Sequence, residues 1–125
     1  MNLVLQIQKL LFGDKNRIGQ VIINLIANAI KYSPDANRIV ITTSNSNDNI
    51  KCCVQDFGIG IPIDQQSKIF TRFFRVSEVK NNTYPGLGLG LYITNEIIKR
   101  HSGTIDFESE EDKGSTFCFS LPLKN

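Results

Sequence analysis

The sequence predicts an α+β fold of two layers, an α/β sandwich with about three helices packed on one face of a mixed β-sheet. Two long segments repeat their apolar residues at the spacing of an amphipathic helix, and two pairs of strand-like segments flank polar turns. Helices interspersed with hairpins favour a layered fold, because each element has an apolar face to bury.

The composition is that of a soluble globular domain. The chain has 125 residues, of which 41% are hydrophobic and 21% charged. Its net charge is +2 with the basic residues scattered, so we expect no nucleic-acid partner. No apolar stretch approaches the roughly 20 residues that span a bilayer, and the first residues lack a signal peptide. We expect residues 1–125 to form one cytoplasmic domain without direct membrane insertion.

The three cysteines predict reduced thiols. Cys52 and Cys53 are neighbours in a predicted strand and so point to opposite faces, and Cys118 is alone in the sequence. With no C-x-x-C pair and a single histidine, His101, the chain offers too few ligands for a usual zinc site.

The first part of the chain predicts a strand and a long helix. Alternating apolar residues indicate a strand at 3–7, and Asp14 can cap a helix over residues 15–32 that ends before Pro34. The apolar face of this helix follows the i, i+3, i+4, i+7 rule: Ile18, Val21, Ile22, Leu25, Ile26, Ala29 and Ile30.

The remaining elements alternate between hairpins and helices. Strands at 38–43 and 50–55 are joined by a polar turn at 45–49, and strands at 104–109 and 115–121 by a turn at 110–114. Between the hairpins, the pattern predicts a short helix from Pro62 to about residue 70 and a second long helix at 89–101, closed by Gly103. Residues 75–88 lack periodicity, which is typical of a functional lid or a disordered loop.

One arc of the first long helix carries polar side chains: Arg17, Gln20, Asn24, Asn28 and Lys31. Any amphipathic helix has such a solvated side. The residue types also suggest a ligand site, because Asn28 offers an oxygen suited to Mg²⁺ and Lys31 offers a point charge suited to phosphates.

Two glycine-containing segments carry the other candidate chemistry. Asp56 leaves a strand and is followed by Gly58 and Gly60, which allow a ligand close to the backbone, although an ordinary turn fits equally. The segment from Gly86 to Gly90 opens the second long helix, where backbone N–H groups and the helix dipole favour phosphate, although a hinge would also use glycines. It matches neither the dinucleotide-binding fingerprint nor a P-loop.

Taken in order, these segments resemble the ATP-binding catalytic domain of sensor histidine kinases, in the superfamily of gyrase-type and mismatch-repair ATPases with its Bergerat-type fold. Residues 14–34 resemble the asparagine box, 56–60 the first glycine box, 70–75 the phenylalanine box, 86–90 the second glycine box and 114–117 the last. The five boxes follow the family's order, and the resemblance covers nearly the whole chain.

The resemblance implies a site for Mg-ATP. Asn28 would ligate Mg²⁺, and Lys31 and Arg75 would hold the phosphates. Tyr32 would line the nucleotide, Asp56 would read adenine, and Thr116 would complete the adenine pocket. The catalytic residues would be Asn24, Lys31 and Arg75. The nucleotide-binding set would be Asn28, Lys31, Tyr32, Asp56, Gly58, Gly60, Arg75, Gly86, Leu87, Gly88, Leu89, Gly90 and Thr116. Residues 75–88 would form the ATP lid.

The implied reaction transfers the γ-phosphoryl group of ATP to a histidine on a separate dimerisation and phosphoacceptor domain of the parent kinase, and a response regulator is an indirect partner. We expect that domain to be absent from residues 1–125, and the parent to be a membrane-associated bacterial sensor. His101 ends a helix, which predicts a helix-end role rather than phosphate acceptance. Leu87, Phe74 and Ser102 depart from the family's frequent threonine, tyrosine and glycine.

Three other functions compete with this interpretation. ATPases and serine-directed kinases of the same fold carry a glutamate base where this chain has Asn24, so they are disfavoured. The motif Asp56-Phe57-Gly58 also occurs in Ser/Thr/Tyr kinases, but those enzymes place their glycine loop before it. A non-catalytic interaction module that binds nucleotide is the third alternative.

Overall fold

The computed structural model describes residues 15–33, 38–46, 48–71 and 90–122. Within these ranges the α-helices are α1, Lys15–Lys31, and α2, Gly90–Arg100, and a 3-10 helix spans Ile63–Lys68. The strands are β1, Val40–Ser46; β2, Asn49–Gln55; β3, Thr104–Glu110; and β4, Gly114–Pro122. The predicted strand at 3–7 and the predicted cap at Asp14 lie outside the described residues.

The four described strands form one sheet in the order β1-β2-β4-β3. All three pairings are antiparallel, with Val40 opposite Gln55, Gln55 opposite Thr116, and Thr116 opposite Glu108. These strands are therefore antiparallel throughout, whereas the sequence predicted a mixed sheet. Both hairpins were predicted, but the first is tighter than expected, since Asn45 and Ser46 already pair across it.

The core lies between one face of this sheet and the helices. Alternate residues of β2 and β4 are buried, so each strand contributes a single face: Ile50, Cys52, Val54, Phe117, Phe119 and Leu121. Helix α1 covers that face with Ile18, Val21, Ile22 and Leu25, and α2 with Ile97 and Ile98. Burial of each large apolar side chain contributes about 1.5–3 kcal/mol. The predicted two-layer α+β arrangement is confirmed.

The buried stripe of α1 is narrower than the predicted one. Ile26 packs partly against the core, and Ile30 is 59% exposed. Ile30 follows the buried Ala29 directly, and successive helical residues are separated by about 100° around the axis. The sequence expectation for Ile30 was therefore wrong.

Helix α2 ends in a Schellman motif. Gly103 N–H donates to the carbonyl of Ile98 at 2.9 Å, and Ser102 N–H donates to that of Lys99 at 3.1 Å. The left-handed residue is Ser102, with φ of 61°. Gly103 was predicted as the cap, but it is needed for a different reason: a Cβ there would overlap the carbonyl oxygen of Ser120.

His101 has the predicted helix-end environment. Its Nδ1 lies 2.8 Å from the carbonyl oxygen of Ile97, one turn earlier in α2. Because a carbonyl only accepts, this geometry places the ring proton on Nδ1. The imidazole thus binds one of the last carbonyls of the helix.

The cysteines differ from the prediction of reduced thiols. Cys53 and Cys118 form a disulfide between β2 and β4, with their Cα atoms 4.1 Å apart and a sequence separation of 65. They are direct partners in the strand register, which the isolated position of Cys118 in the sequence does not reveal. Cys52 is free and buried, and burial raises its pKa to about 11.

Neither described α-helix has the length and apolar character needed to cross a membrane.

Candidate functional site

Asp56 is the centre of the candidate site. It follows β2 directly and is only 3% exposed. Its Oδ1 accepts hydrogen bonds from the backbone N–H groups of Gly58, at 3.0 Å, and Ser115, at 3.2 Å. Both of these backbone donors bind Oδ1, so Oδ2 accepts neither of the two bonds. A buried carboxylate with one oxygen bonded in this way is suited to accept a hydrogen bond from an uncharged amino group.

The pKa of Asp56 is consistent with a ligand site at this carboxyl group. Burial raises the pKa of the carboxyl above its usual range, and the backbone hydrogen bonds from Gly58 and Ser115, together with the nearby Ser33 hydroxyl, lower it only in part. The Ser33 Oγ is buried and makes no hydrogen bond within the described residues. It lies near the Asp56 carboxyl and lowers the pKa of that group. A buried hydroxyl that makes no hydrogen bond, beside a buried carboxyl group, indicates a position for a polar ligand atom.

Gly58 joins the Asp56 loop to the end of α1. Ile59 N–H donates to the carbonyl of Tyr32 at 3.0 Å, and a Cβ at Gly58 would overlap that same carbonyl oxygen. The absence of a side chain therefore lets the loop pass against the backbone of Tyr32 and bring Ser33 beside Asp56.

Gly60 and Gly114 join the loop to the second hairpin. Both have positive φ, 68° and 110°, and a Cβ would overlap the carbonyl oxygens of Glu110 and Asp56 respectively. Asp112 N–H donates to the carbonyl of Ile59 at 2.7 Å. In the described structure the glycines of residues 56–60 thus approach protein backbone, whereas the sequence suggested approach to a ligand.

A serine cluster supports the same loop from β3 and β4. Ser109 Oγ accepts from the backbone N–H of Ile61 at 2.7 Å and lies 2.7 Å from Ser115 Oγ. The side-chain amide of Gln66 also supports this loop, since its Nε2 donates to the Ile61 carbonyl at 2.9 Å. Sequence reasoning did not identify Ser33, Ser109 or Ser115. Of these three serines, only Ser115 had a feature in the sequence that could have identified it, its position directly after Gly114.

Thr116 lies one residue away from the site. On β4 the buried face carries Ser115, Phe117 and Phe119, whereas Thr116 alternates to the other face and pairs with Gln55 and Glu108. Ser115 is the residue that contacts Asp56. The resemblance assigned the adenine pocket to Thr116, and that assignment stays a prediction.

The polar arc of α1 precedes Tyr32 and Ser33, the residues at the helix end that contact the Asp56 loop. Asn24, Asn28 and Lys31 are half-buried on it. Asn24 Nδ2 donates to Thr94 Oγ1 on α2 at 3.3 Å, and Thr94 is completely buried. Lys31 Nζ lies 5.6 Å from the centre of the Tyr32 ring, within the range of a cation–π contact.

Other predicted site residues lie outside the described part of the chain: Arg75, Gly86, Leu87, Gly88 and Leu89. Gly90 is described, as the exposed first residue of α2, with no atom within 4 Å of where its Cβ would be. The structure therefore brings together Tyr32, Ser33, Asp56, Gly58 and Ser115, and links Asn24 to α2.

The metal prediction depends on Asn28. Residues 15–33, 38–46, 48–71 and 90–122 contain no group of three or more His, Cys, Asp or Glu side chains that could hold a metal ion. A half-buried amide oxygen fits an ion whose other ligands are phosphates and water, as Mg²⁺ often has. The residues present are compatible with a metal that arrives with a nucleotide.

Comparison with known proteins gives consistent matches. The family profile described as histidine kinase-, DNA gyrase B- and HSP90-like ATPase matches residues 13–125. The circadian input-output histidine kinase CikA of Thermosynechococcus vestitus is 41% identical over 111 residues, which cover 89% of this chain and 15% of that protein. The chain spans 15% to 30% of the length of the curated relatives it matches.

Solved structures show the same fold. The mycobacterial sensor histidine kinase MprB superposes with a TM-score of 0.81 at 27% identity, over 91% of this chain and 77% of that chain. Full-length ShkA in complex with AMPPNP superposes with a TM-score of 0.78 at 26% identity, over 92% of this chain and 23% of that one.

Proposed function

Because this chain belongs to the family of histidine kinase-, DNA gyrase B- and HSP90-like ATPases, we propose that it is the domain of a sensor histidine kinase that binds Mg-ATP and donates the γ-phosphoryl group. The acceptor is a histidine on the dimerisation and phosphoacceptor domain of the parent kinase. A response regulator then receives the phosphoryl group from that histidine, on the cytoplasmic side of the membrane.

Asp56 carries the proposal. Its Oδ1 is held by two backbone N–H groups, and Oδ2 accepts from the exocyclic amino group of adenine. The unpartnered Ser33 hydroxyl and the buried Ser115 lie beside the same carboxylate and complete the base pocket. We therefore assign to Ser115 the role that the resemblance suggested for Thr116. An analogue without the amino group would leave a buried carboxylate oxygen unsatisfied, which disfavours it.

The phosphate side of the site follows the polar arc of α1. Asn28 would hold the magnesium ion and Lys31 the phosphates, on the same half-buried face that leads away from Asp56. Arg75 and the segment 86–90 would contribute from outside the described residues, and Gly90 from the start of α2. Bound Mg²⁺ supplies charge neutralisation between the phosphate oxygens. This chain contributes positioning and positive charge.

Asn24 is consistent with a kinase rather than an ATPase. Its amide is engaged with Thr94, and it has no carboxylate with which to take a proton from water. We propose that it acts by holding α1 against α2, so that Asn28, Lys31 and the start of α2 face one nucleotide. Hydrolysis of ATP by water should consequently be slow.

Calorimetric titration with AMPPNP in the presence of Mg²⁺ tests nucleotide binding. Asp56→Asn should weaken binding by about 30-fold, because an amide presents a donor to the adenine amino group. Asp64→Asn removes an exposed carboxylate elsewhere and is the matched control. Equal affinities for the unmodified chain and Asp56→Asn, or no binding at millimolar nucleotide, would refute the base pocket.

Phosphotransfer distinguishes the kinase from a non-catalytic nucleotide-binding module. The purified chain is mixed with γ-labelled ATP and the phosphoacceptor domain of its parent. We expect label that is stable in alkali and lost in acid, as a phosphohistidine is, and less of it with Lys31→Ala. Nucleotide binding without any labelling of a folded acceptor domain would favour the module.

A further inference from the structure

The outer face of the sheet carries a row of side chains centred on the disulfide. In the strand register, Thr42 pairs with Cys53, Cys53 with Cys118, and Cys118 with Asp106. Thr42 and Asp106 are exposed, and both cysteines are half-exposed. This is the face opposite the one on which α1 and α2 pack, since the alternate residues of β2 and β4 are those in the core.

The surroundings of the two sulfurs are polar. The next residues on this face along the two strands are Lys51, Gln55, Thr116 and Ser120, which are exposed or half-exposed. The described core side chains lie on the other face. A small water-soluble reagent can therefore approach the disulfide without displacing the described core, and exposed disulfides are the ones that exchange readily.

Cys52 has the opposite environment. It is 1% exposed and pairs with Phe119 on the core face, and burial raises the pKa of its thiol to about 11. Although adjacent to Cys53 in sequence, it points through the sheet and cannot reach the disulfide. The chain thus contains one accessible cysteine pair and one buried thiol, which serves as an internal reference.

We propose that Cys53 and Cys118 form a reversible thiol–disulfide exchange site on the face of the sheet opposite α1 and α2, which small dithiols reduce and small disulfides re-form while the domain stays folded. This site is independent of the proposed nucleotide function. A thiolate of the dithiol attacks one sulfur, the Cys53–Cys118 bond breaks as a mixed disulfide forms, and the departing thiolate takes a proton. The second thiol of the reagent then releases the other cysteine and closes its own disulfide, so two electrons pass to the protein.

The cross-link fastens the strands that support the candidate site. Asp56 follows Cys53 by three residues on one strand, and Ser115 precedes Cys118 by three on the other. The bond also closes a chain segment of 65 residues, which restricts the unfolded state. The oxidised form should therefore melt at a temperature about 10 °C higher than the reduced form.

The test uses the native chain in buffers of reduced and oxidised dithiothreitol, followed by alkylation, proteolysis and mass spectrometry. We expect Cys53 and Cys118 to change together between labelled and unlabelled states, and Cys52 to be labelled only after denaturation. A pair that opens only in denaturant, that does not re-form, or that exchanges with Cys52 would overturn the proposal.

Melting temperatures provide the second measurement. The difference between oxidised and reduced forms should vanish in Cys53→Ser and in Cys118→Ser, and should persist in Cys52→Ala, the matched variant on the core face. A redox-dependent difference that survives Cys53→Ser, or none in the unmodified chain, would contradict the assignment.

Discussion

Asp56 and Ser115 hold one another at the point where β2 and β4 separate. The backbone N–H of Asp56 donates to the Ser115 carbonyl at 2.8 Å, and the backbone N–H of Ser115 donates to the Asp56 carboxylate at 3.2 Å. Gln55 and Thr116 are the last paired residues of β2 and β4. In the next pair, the Asp56 side chain accepts the bond that a backbone carbonyl would accept in a regular ladder. The Asp56 carboxylate is therefore buried at the end of the sheet, and its burial lowers the free energy of unfolding.

That cost should appear in the pH dependence of stability. Because the pKa of Asp56 is raised in the folded state, the folded chain binds the proton more tightly than the unfolded chain. Stability from this group is thus greatest below the unfolded value of about 3.9 and falls as the pH rises through the folded pKa. We expect Asp56→Asn to melt above the unmodified chain at neutral pH, by a margin that shrinks in acid. A margin that is constant with pH would contradict this.

Gly58 and Gly90 should respond oppositely to the same substitution. Gly58→Ala places a methyl group on the backbone carbonyl of Tyr32, which cannot move aside, and should cost about 3 kcal/mol or more in urea unfolding. Gly90→Ala meets no atom within 4 Å at the start of α2 and should be neutral or stabilising by up to about 1 kcal/mol. Similar losses for both variants would mean that the close packing of the Asp56 loop is not the cause.

The end of α2 offers a stabilising substitution. Ser102 has φ of 61°, a conformation that glycine adopts without steric cost, so Ser102→Gly should raise the free energy of unfolding by about 1 kcal/mol. Gly103→Ala is the contrasting variant and should destabilise, because its Cβ would overlap the Ser120 carbonyl. Thermal melts followed by circular dichroism would show both effects. Destabilisation by Ser102→Gly would indicate that the serine has a stabilising contact.

Periodicity was sufficient to predict the described helices and both hairpins. Helix α1 was expected at 15–32 and is Lys15–Lys31, and β4 was expected at 115–121 and is Gly114–Pro122. These agree because apolar spacing directly reflects which face of an element is buried. The identity of Asp56 as a candidate residue also followed from its place between a strand and two glycines.

Contacts between distant residues were not predictable in the same way. The pairing of Cys53 with Cys118 depends on the register of β2 against β4, which no local pattern specifies. The choice between Ser115 and Thr116 depends on which face of β4 each occupies, and a shift of one residue reverses that choice. The exposure of Ile30 depends on how α1 is rotated against the sheet.

The contact between Asn24 and Thr94 should couple α1 to α2. Asn24→Ala leaves the buried Thr94 hydroxyl without this donor, so the single variant should cost about 1–3 kcal/mol, and a double-mutant cycle with Thr94→Val should give a coupling of about 1 kcal/mol. Urea unfolding of the four proteins measures it. Additive effects would assign Asn24 a role that does not involve Thr94.

Ile22 and Ile23 test how α1 faces the core. Ile22 is completely buried, so Ile22→Ala should cost about 3 kcal/mol through lost burial and the cavity left behind. Ile23 is 62% exposed, and Ile23→Ala should change stability by no more than about 0.5 kcal/mol, since alanine also has the higher helix propensity. The two variants make the same chemical change one residue apart, so helix propensity cancels in their difference. Equal losses would contradict the exposure of Ile23.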